Sequence, residues 1–181
     1  MEQIRRTVIA LGFFDGIHLG HQALLRRTVE RGREHNMTPA VFTFDRAPKA
    51  VVTGKDIPLL TTPEQRIAII HALFPIHQII VAPFDRQMMT MDWRDFIDML
   101  ATRFYAGWLV AGHDYRFGHK NLGNADLLRQ RAAELGLGCD IIPPVLAEGE
   151  LVSSTRIRAL LEKGRTQEAR RLLGHDLPVG E

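Results

Sequence analysis

The segment TVIALGFFDGIHLGHQALLRRTVERGREH, residues 7–35, decides the fold because it predicts a strand, a glycine-rich turn and a helix in immediate succession. Residues 7–12 form a continuous β-branched and apolar run, which is typical of a strand buried on both faces of a parallel sheet. Residues 19–35 have a helical composition, and the Thr38-Pro39 pair follows the end of that helix. The turn between strand and helix carries glycines, a carboxylate and two histidines.

Strands and helices alternate along the rest of the chain. Further strands are predicted at residues 40–44, 77–83, 108–112 and 139–145, and further helices at 62–74, 92–104, 124–135, 154–163 and 166–173. Thr62 and Thr166 are expected to cap two of these helices. The repeated units predict an α/β fold with a doubly wound, Rossmann-like parallel sheet and two C-terminal helices. Ligands of such sheets bind beyond the carboxyl ends of the strands.

The composition is that of an ordinary globular protein. With 181 residues the chain fits one α/β domain, and 45% hydrophobic and 24% charged residues are typical values. The net charge of +2 does not demand a nucleic-acid partner. The single cysteine excludes an internal disulfide and a multi-cysteine zinc site. We recognise no signal peptide or membrane-spanning run and expect a cytoplasmic protein without a membrane partner.

The turn before the first helix has the features of a phosphate site. A helix N-terminus offers unpaired N–H groups and the positive end of a dipole, and Gly20 would let a phosphate approach the backbone. His18 and His21 are three residues apart, so both imidazoles can face one side and donate to phosphate oxygens, more strongly when protonated. We expect both at the mouth of a cleft, stabilising a phosphoryl-transfer transition state without a covalent intermediate.

Two other interpretations of this turn stay open. The histidines could be partly exposed members of a helix cap without a chemical role. Alternatively, Asp15, His18, His21 and His113 could ligate zinc, although no HExxH motif or cysteine pair supports such a site. We favour phosphate binding because the whole glycine-bracketed set follows a buried strand, and we predict no dedicated metal site formed by side chains.

A second candidate phosphate site is the segment VSSTRIRALLEKG, residues 152–164. Three consecutive hydroxyl residues precede a helix, and one of them is expected to cap it. Arg156 follows one residue inside, where its guanidinium could reach a phosphate, whereas Arg158 is expected to point elsewhere and to be structural. Two such helix starts in one domain suggest that a nucleoside triphosphate is held between them.

These motifs resemble those of a known superfamily. The sequences HLGH and SSTRIR resemble the HxGH and STxxR motifs of nucleotidyltransferases. The ordered segments LGFFDGIHLGHQALL, FTFDRAPKAVV, LLTTPEQRIAII, AGHDYRFGHKNLG and VSSTRIRALLEKGRTQEARRLLG closely resemble the FMN adenylyltransferase part of prokaryotic bifunctional FAD synthetases, from Thr7 to Gly174. The resemblance implies a nucleotidyltransferase-type α/β fold.

The resemblance also implies a reaction: ATP and FMN give FAD and pyrophosphate, with Mg²⁺ arriving on ATP. It implies catalytic roles for His18, His21 and Arg156. The residues implied to bind ATP are Gly12, Phe13, Asp15, His18, His21, Ser153, Ser154, Thr155 and Arg156. The residues implied to line the acceptor pocket are Phe44, Asp45, Asp114 and Phe117.

The chain departs from the family pattern in two places. Arg46 and Ala47 replace the proline and histidine common in this segment of the family, and either Arg46 or Lys49 could attract the FMN phosphate. Family members typically continue into a riboflavin kinase domain, whereas residues 1–181 are expected to form one adenylyltransferase domain, either alone or as part of a longer parent chain. Two alternative functions remain: adenylylation of pantetheine phosphate or nicotinate mononucleotide, and nucleotide binding without catalysis.

Overall fold

The computed structural model describes residues 4–178 and is built on a parallel sheet. Its strands are β1 (Thr7–Leu11), β2 (Thr38–Phe44), β3 (Gln78–Ala82), β4 (Ala106–Gly112) and β5 (Gly138–Ile142). Their spatial order is β3-β2-β1-β4-β5, and all neighbouring pairs run parallel. Because the order reverses between β1 and β4, a crevice forms beyond the carboxyl ends of these two strands.

Helices connect the strands and extend the chain beyond β5. Within residues 4–178 the α-helices are α1 (Leu19–His35), α2 (Pro48–Thr53), α3 (Pro63–Leu73), α4 (Arg86–Thr90), α5 (Trp93–Arg103), α6 (Ala125–Glu134), α7 (Ser154–Glu162) and α8 (Thr166–Leu173). A short antiparallel hairpin, β6 (Leu146–Ala147) and β7 (Glu150–Leu151), precedes α7. None of the helices described is long and apolar enough to cross a membrane.

The central strand β1 buries both of its faces. Ile9 and Leu11 pack in one cluster with apolar residues of α5 and α6. Val8 and Ala10 point the other way and pack with residues of α1 and α3. The continuous apolar run in the sequence is therefore explained by two cores on opposite faces of one sheet. The predicted doubly wound fold is confirmed.

The two C-terminal helices pack against each other beside the start of α1. Their apolar stripes form a third cluster, which consists of Val152, Ile157, Leu160, Ala169, Leu172 and Leu173. Leu19, at the start of α1, packs against this cluster. The Ser154 hydroxyl donates to the Asp15 carbonyl at 2.8 Å. These contacts bring the two helix starts that the sequence singles out to the same end of the sheet.

The element bounds agree with the sequence predictions to within three residues. The largest difference is at β5, which ends at Ile142 because Pro143 and Pro144 cannot donate to a ladder. The predicted cap at Thr166 is wrong: Arg165 occupies the cap position without a side-chain hydrogen bond, and Thr166 is the first helical residue. The helices α2 and α4 and the hairpin were not predicted, because they are too short to show a periodicity.

The predicted cap at Thr62 is confirmed and has a structural consequence. Its hydroxyl accepts from the Gln65 N–H at 3.1 Å, and the Gln65 side chain accepts from the Thr62 N–H at 2.9 Å. This reciprocal pair starts α3 with Pro63 at its first position. The first turn of α3 then carries Arg66 into the protein interior.

Candidate active site

A cavity of about 920 Å³ opens beyond the carboxyl ends of β1 and β4. Its walls come from the turn after β1, the loop after β4, the start of α7 and the segments after β2 and β3. The predicted nucleotide-binding residues that line it are Gly12, Phe13, Asp15, His18, His21, Ser153, Ser154 and Thr155. This volume is within the range of small-molecule sites, and its position is the one that the sheet topology favours.

The turn that carries the histidines has a strained backbone. Phe14, Gly16 and Ile17 have positive φ angles of 61°, 84° and 47°. Such angles are rare for bulky side chains and rarest for a β-branched one such as Ile17. The Phe14 and Ile17 side chains are buried in the core, and the Gln22 amide donates to the Ile17 carbonyl at 2.9 Å. Core packing and this hydrogen bond hold the strained turn and fix the position of His18.

The segment after α8 reaches back to the same turn. The Gln22 amide also donates to the Leu173 carbonyl at 2.7 Å. The His175 Nε2 lies 2.9 Å from the Gly16 carbonyl oxygen and 3.1 Å from that of Ile17. The C-terminal helices thus contact the backbone directly before the HLGH motif.

His18 is the N-cap of α1. Its Nδ1 accepts from the backbone N–H groups of Gly20 at 3.1 Å and His21 at 3.3 Å. The ring folds over Gly20 so closely that a Cβ there would lie 2.9 Å from the His18 Cε1. The sequence predicts unpaired N–H groups at this helix start, whereas those of Gly20 and His21 are occupied, and Gly20 makes room for the imidazole. His18 therefore caps the helix, as the alternative interpretation expected, but it is buried rather than partly exposed.

The two imidazoles are stacked and neutral. Their ring centroids are 3.6 Å apart, with 17° between the ring planes. Burial lowers the pKa of His18 to about 4, although a hydrogen bond to its own backbone and the charge of Asp114 act in the opposite direction. Desolvation, followed by the neighbouring His18 and Arg66, lowers the pKa of His21 well below its ordinary value. The sequence predicts both histidines at the mouth of the cleft, whereas the structure buries His18.

Neutrality defines which nitrogen can donate. Because the Nδ1 of His18 accepts two N–H bonds, the proton of the neutral ring is on Nε2, which is left to donate to a ligand. The Nδ1 of His21 is buried and has no hydrogen-bond partner among residues 4–178. An unsatisfied buried nitrogen is costly, which is typical of a group reserved for a ligand or a reaction.

The start of α7 is capped differently. The Ser153 hydroxyl is the cap and accepts from the Arg156 N–H at 3.1 Å. The Ser154 hydroxyl is used to contact the Asp15 carbonyl, as described above, and Thr155 accepts from Arg158 at 3.3 Å. The N–H groups of Ser154 and Thr155 have no partner within the described part of the chain. They remain available to an anion at the positive end of the helix dipole.

The positions expected of Arg156 and Arg158 relative to the cavity are reversed. Arg156 does not line the cavity: its Nη1 donates to the Ala147 and Glu150 carbonyls at 3.1 and 3.0 Å, so it holds the hairpin. Arg158 lines the cavity and pairs with Asp15 at 2.9 Å. Counted from Ser154, the STxxR motif in fact ends at Arg158.

Asp15 is a buried structural acceptor as well as a cavity residue. Its carboxylate accepts from the N–H groups of Leu60 and Thr61 at 3.0 Å each. Together with the Arg158 ion pair, these bonds occupy the carboxylate from several sides. Within residues 4–178 no group of three or more His, Cys, Asp or Glu side chains is arranged to hold a metal ion.

The wall of the cavity where the resemblance places the AMP acceptor is mostly apolar. Phe44, Asp114 and Phe117 line it as expected. Asp45 does not, because it turns to accept the Phe84 N–H at 2.9 Å. Lys49 lies on the cavity wall at the start of α2. The sequence reasoning did not include several apolar residues of this wall, namely Val52, Ile57, Leu59, Phe84, Met88, Met89 and Met91.

The motifs, the cavity and the sheet order agree with one family. The family model for FAD synthetase matches residues 1–156. The chain belongs to the FAD synthetase family. The family predicted from the motifs is confirmed, and with it the prediction of an enzyme.

Relatives of this FAD synthetase family member differ in how much of their own length it covers. A Geobacillus thermodenitrificans protein is 34% identical over 172 residues, covering 94% of this chain and 91% of that protein. Bifunctional riboflavin kinase/FMN adenylyltransferases of Listeria monocytogenes and Escherichia coli K12 are 32% and 30% identical. Those matches cover 93% and 95% of this chain but only 54% and 55% of the relatives.

A solved structure has the same architecture. The crystal structure of a Streptococcus pneumoniae protein named as a macrolide-efflux protein superimposes with a TM-score of 0.84 at 28% identity. The superposition covers 98% of this chain and 58% of that one. The superimposed part of that longer chain and this chain thus share one fold.

Proposed function

We propose that this chain transfers AMP from ATP to FMN, giving FAD and pyrophosphate. The observation that carries the proposal is the cavity at the sheet switch point, which joins the stacked histidines and the open start of α7 to an apolar wall. The polar end suits the phosphates of a nucleotide, and the aromatic and methionine-rich end suits a flat flavin ring. Membership of the FAD synthetase family selects this reaction among adenylyl transfers.

The proposed chemistry is a single displacement. An FMN phosphate oxygen attacks the α-phosphorus of ATP, one new P–O bond forms, and the bond to the β-phosphate oxygen breaks to release pyrophosphate. His18 donates through Nε2–H to an oxygen whose negative charge grows in the transition state, and His21 stacks beside it. Rigid donors of this kind need no reorganisation as the charge develops.

The start of α7 completes the phosphate site. In this proposal the free N–H groups of Ser154 and Thr155 bind the departing pyrophosphate, and Arg158 replaces Arg156 as the arginine of the site. Gly12, Phe13 and Asp15 line the nucleotide side. The proposed acceptor residues are Phe44, Asp114, Phe117 and Lys49.

Mg²⁺ fits this site as a companion of ATP. Since Asp15 is already saturated and the described residues form no metal cluster, the ion would be bound chiefly by phosphate oxygens. When bound, it would neutralise charge on the leaving pyrophosphate.

We also propose that a riboflavin kinase domain is the natural partner, since the relatives above are named as bifunctional. The location in the cytoplasm stays a prediction.

The decisive experiment incubates the purified chain with ATP, Mg²⁺ and FMN and separates the flavins by chromatography. FAD and pyrophosphate should form in equal amounts. Riboflavin with ATP serves as the control, and we expect no FMN from it. Pantetheine phosphate and nicotinate mononucleotide complete the acceptor panel. Adenylylation of one of these instead of FMN would contradict the proposal, as would ATP binding without any pyrophosphate release.

A further inference from the structure

Arg66 is a buried cation that no carboxylate of the described residues contacts directly. Its side chain is only 1% exposed, and no ion pair of Arg66 is found among residues 4–178. Its partners are neutral: Nη1 donates to the Phe13 carbonyl at 2.7 Å and to the Thr43 hydroxyl at 2.8 Å, and Nη2 to the Phe44 carbonyl at 3.1 Å. Its Nε is buried and finds no acceptor in the described part of the chain. Such a cation is expensive to maintain.

The position of Arg66 is directly behind the cavity wall. Its guanidinium carbon lies 4.3 Å from the centroid of the Phe13 ring, and both Phe13 and Phe44 line the cavity. Arg66 itself does not line it, so it cannot form a contact with a ligand without a rearrangement. Arg66 would therefore act on a ligand by electrostatic attraction at a distance. This attraction is stronger in the poorly solvated interior than in water.

The other charges near the phosphate end cancel or are screened. Arg158 is neutralised by Asp15. Both histidines are neutral, because burial lowers the pKa of each. Lys49, Arg116 and Lys120 line the cavity but are exposed, so water and salt weaken their fields. Arg66 is thus a buried charge of this region that forms no ion pair within residues 4–178, because Asp15, Glu64 and Asp45 act on it only from beyond salt-bridge distance.

We propose that Arg66 is the fixed positive charge of the site, left without a carboxylate so that it favours the phosphate groups of ligands over neutral nucleosides. The inference rests on the proposed function, since it assumes that the cavity takes ATP and FMN. A secondary role follows from the fork of hydrogen bonds, which fixes the Phe13 and Phe44 backbones where the cavity wall begins.

The test compares phosphorylated ligands with their neutral counterparts. Dissociation constants are measured by calorimetry for ATP against adenosine and for FMN against riboflavin, in Arg66→Met and in the parent protein. We expect the preference for the phosphorylated member of at least one pair to fall by about tenfold in Arg66→Met. Arg66→Lys, which keeps the charge, should lose less. The ligand pair whose preference falls shows which phosphate group interacts with the charge of Arg66.

The control variant is Arg31→Met, which removes a partly buried arginine that pairs with Asp140 away from the cavity. It should lower the melting temperature and leave both preferences unchanged. Equal losses for charged and neutral ligands in Arg66→Met would overturn the inference, because the arginine would then only shape the wall. If the parent protein prefers neither ATP to adenosine nor FMN to riboflavin, that result would instead contradict the proposed function.

Folding is the remaining risk. If Arg66→Met does not fold, Arg66→Gln gives the same comparison, because an amide can still donate to the Phe13 or Phe44 carbonyl without carrying a charge. If neither neutral variant folds, the inference is also overturned, since the charge would then be needed for the fold itself.

Discussion

The starts of α1 and α7 face the same cavity but offer it different groups. At α1 the ring of His18 occupies the N–H groups of Gly20 and His21, so the imidazole edge is what remains for a ligand. At α7 the Ser153 hydroxyl accepts only from the third N–H of the helix, and the two before it stay open within residues 4–178. A helix start is therefore an anion site only where its own cap leaves donors unused.

The largest expected effect concerns the histidines. Replacing His18 or His21 with Ala should slow the chemical step by roughly 10²–10³, about 2.7–4 kcal/mol, if each stabilises charge in the transition state. Single-turnover rates of FAD formation provide the measurement. His71→Ala is the matched control, because His71 is exposed and does not line the cavity. Near-normal rates for both cavity variants would remove the histidines from the mechanism.

The same two variants should differ in stability. His18→Ala removes the cap of α1 and should lower the free energy of unfolding by about 1 kcal/mol. His21→Ala removes a nitrogen that has no partner among residues 4–178, so its cost should be smaller. Urea unfolding of both variants measures this difference. Equal losses would show that the cap contributes nothing.

The second effect separates the two arginines beside α7. Arg158→Ala should raise the KM for ATP by about ten- to a hundredfold, since hydrogen bonds to charged groups contribute about 1.5–3 kcal/mol. It should also lower the melting temperature, because it leaves the buried Asp15 without its cation. Arg156→Ala should loosen the hairpin and change the KM by about twofold or less. The opposite ranking would restore Arg156 as the phosphate ligand.

The sequence predicted the fold well because its signals are local. Apolar runs, Pro63 after the Thr62 cap and the glycine that ends α7 determine each element without reference to the rest of the chain. The site was predicted less completely because its chemistry depends on side-chain directions. Spacing brought His18 and His21 together correctly, but it could not show that the His18 ring turns back onto its own helix.

The misplaced residues share this cause. Arg156 was predicted to bind ATP and Asp45 to line the acceptor pocket because both belong to motifs whose other members line the cavity. Each side chain instead bonds to a backbone group outside the cavity. Arg66 had no sequence signal, since one arginine in a helix is ordinarily exposed. The histidines are neutral because burial lowers the pKa of each, and the sequence alone does not show this burial.

The third effect is the pH dependence of stability. Burial lowers the pKa of His18 from its ordinary value of 6.5, which applies to the unfolded chain, to about 4 in the folded protein. Between these values the unfolded chain binds more protons, so acidification from pH 6.5 to 4 should remove about 3 kcal/mol of unfolding free energy. His21, whose pKa is also lowered, adds to the loss in the same direction.

The variant for this measurement is His18→Asn, which keeps an acceptor for the cap but has no titrating group. Urea unfolding between pH 4 and 7 should show a weaker pH dependence for it than for the parent protein. Parallel curves would mean that the pKa of His18 is the same in the folded and the unfolded chain.

The smallest effect tests whether cap and phosphate site are separable at α7, as they are not at α1. Ser153→Ala removes the cap and should lower the free energy of unfolding by about 1 kcal/mol. Because the open N–H groups belong to Ser154 and Thr155, the KM for ATP should rise only severalfold, and Ser153→Asn should recover the stability by supplying another cap. Thermal melts and steady-state kinetics of the two variants provide the measurement. A loss of ATP affinity as large as that of Arg158→Ala would mean that the Ser153 hydroxyl leaves its helix to bind the phosphate, and the two helix starts would then work in the same way.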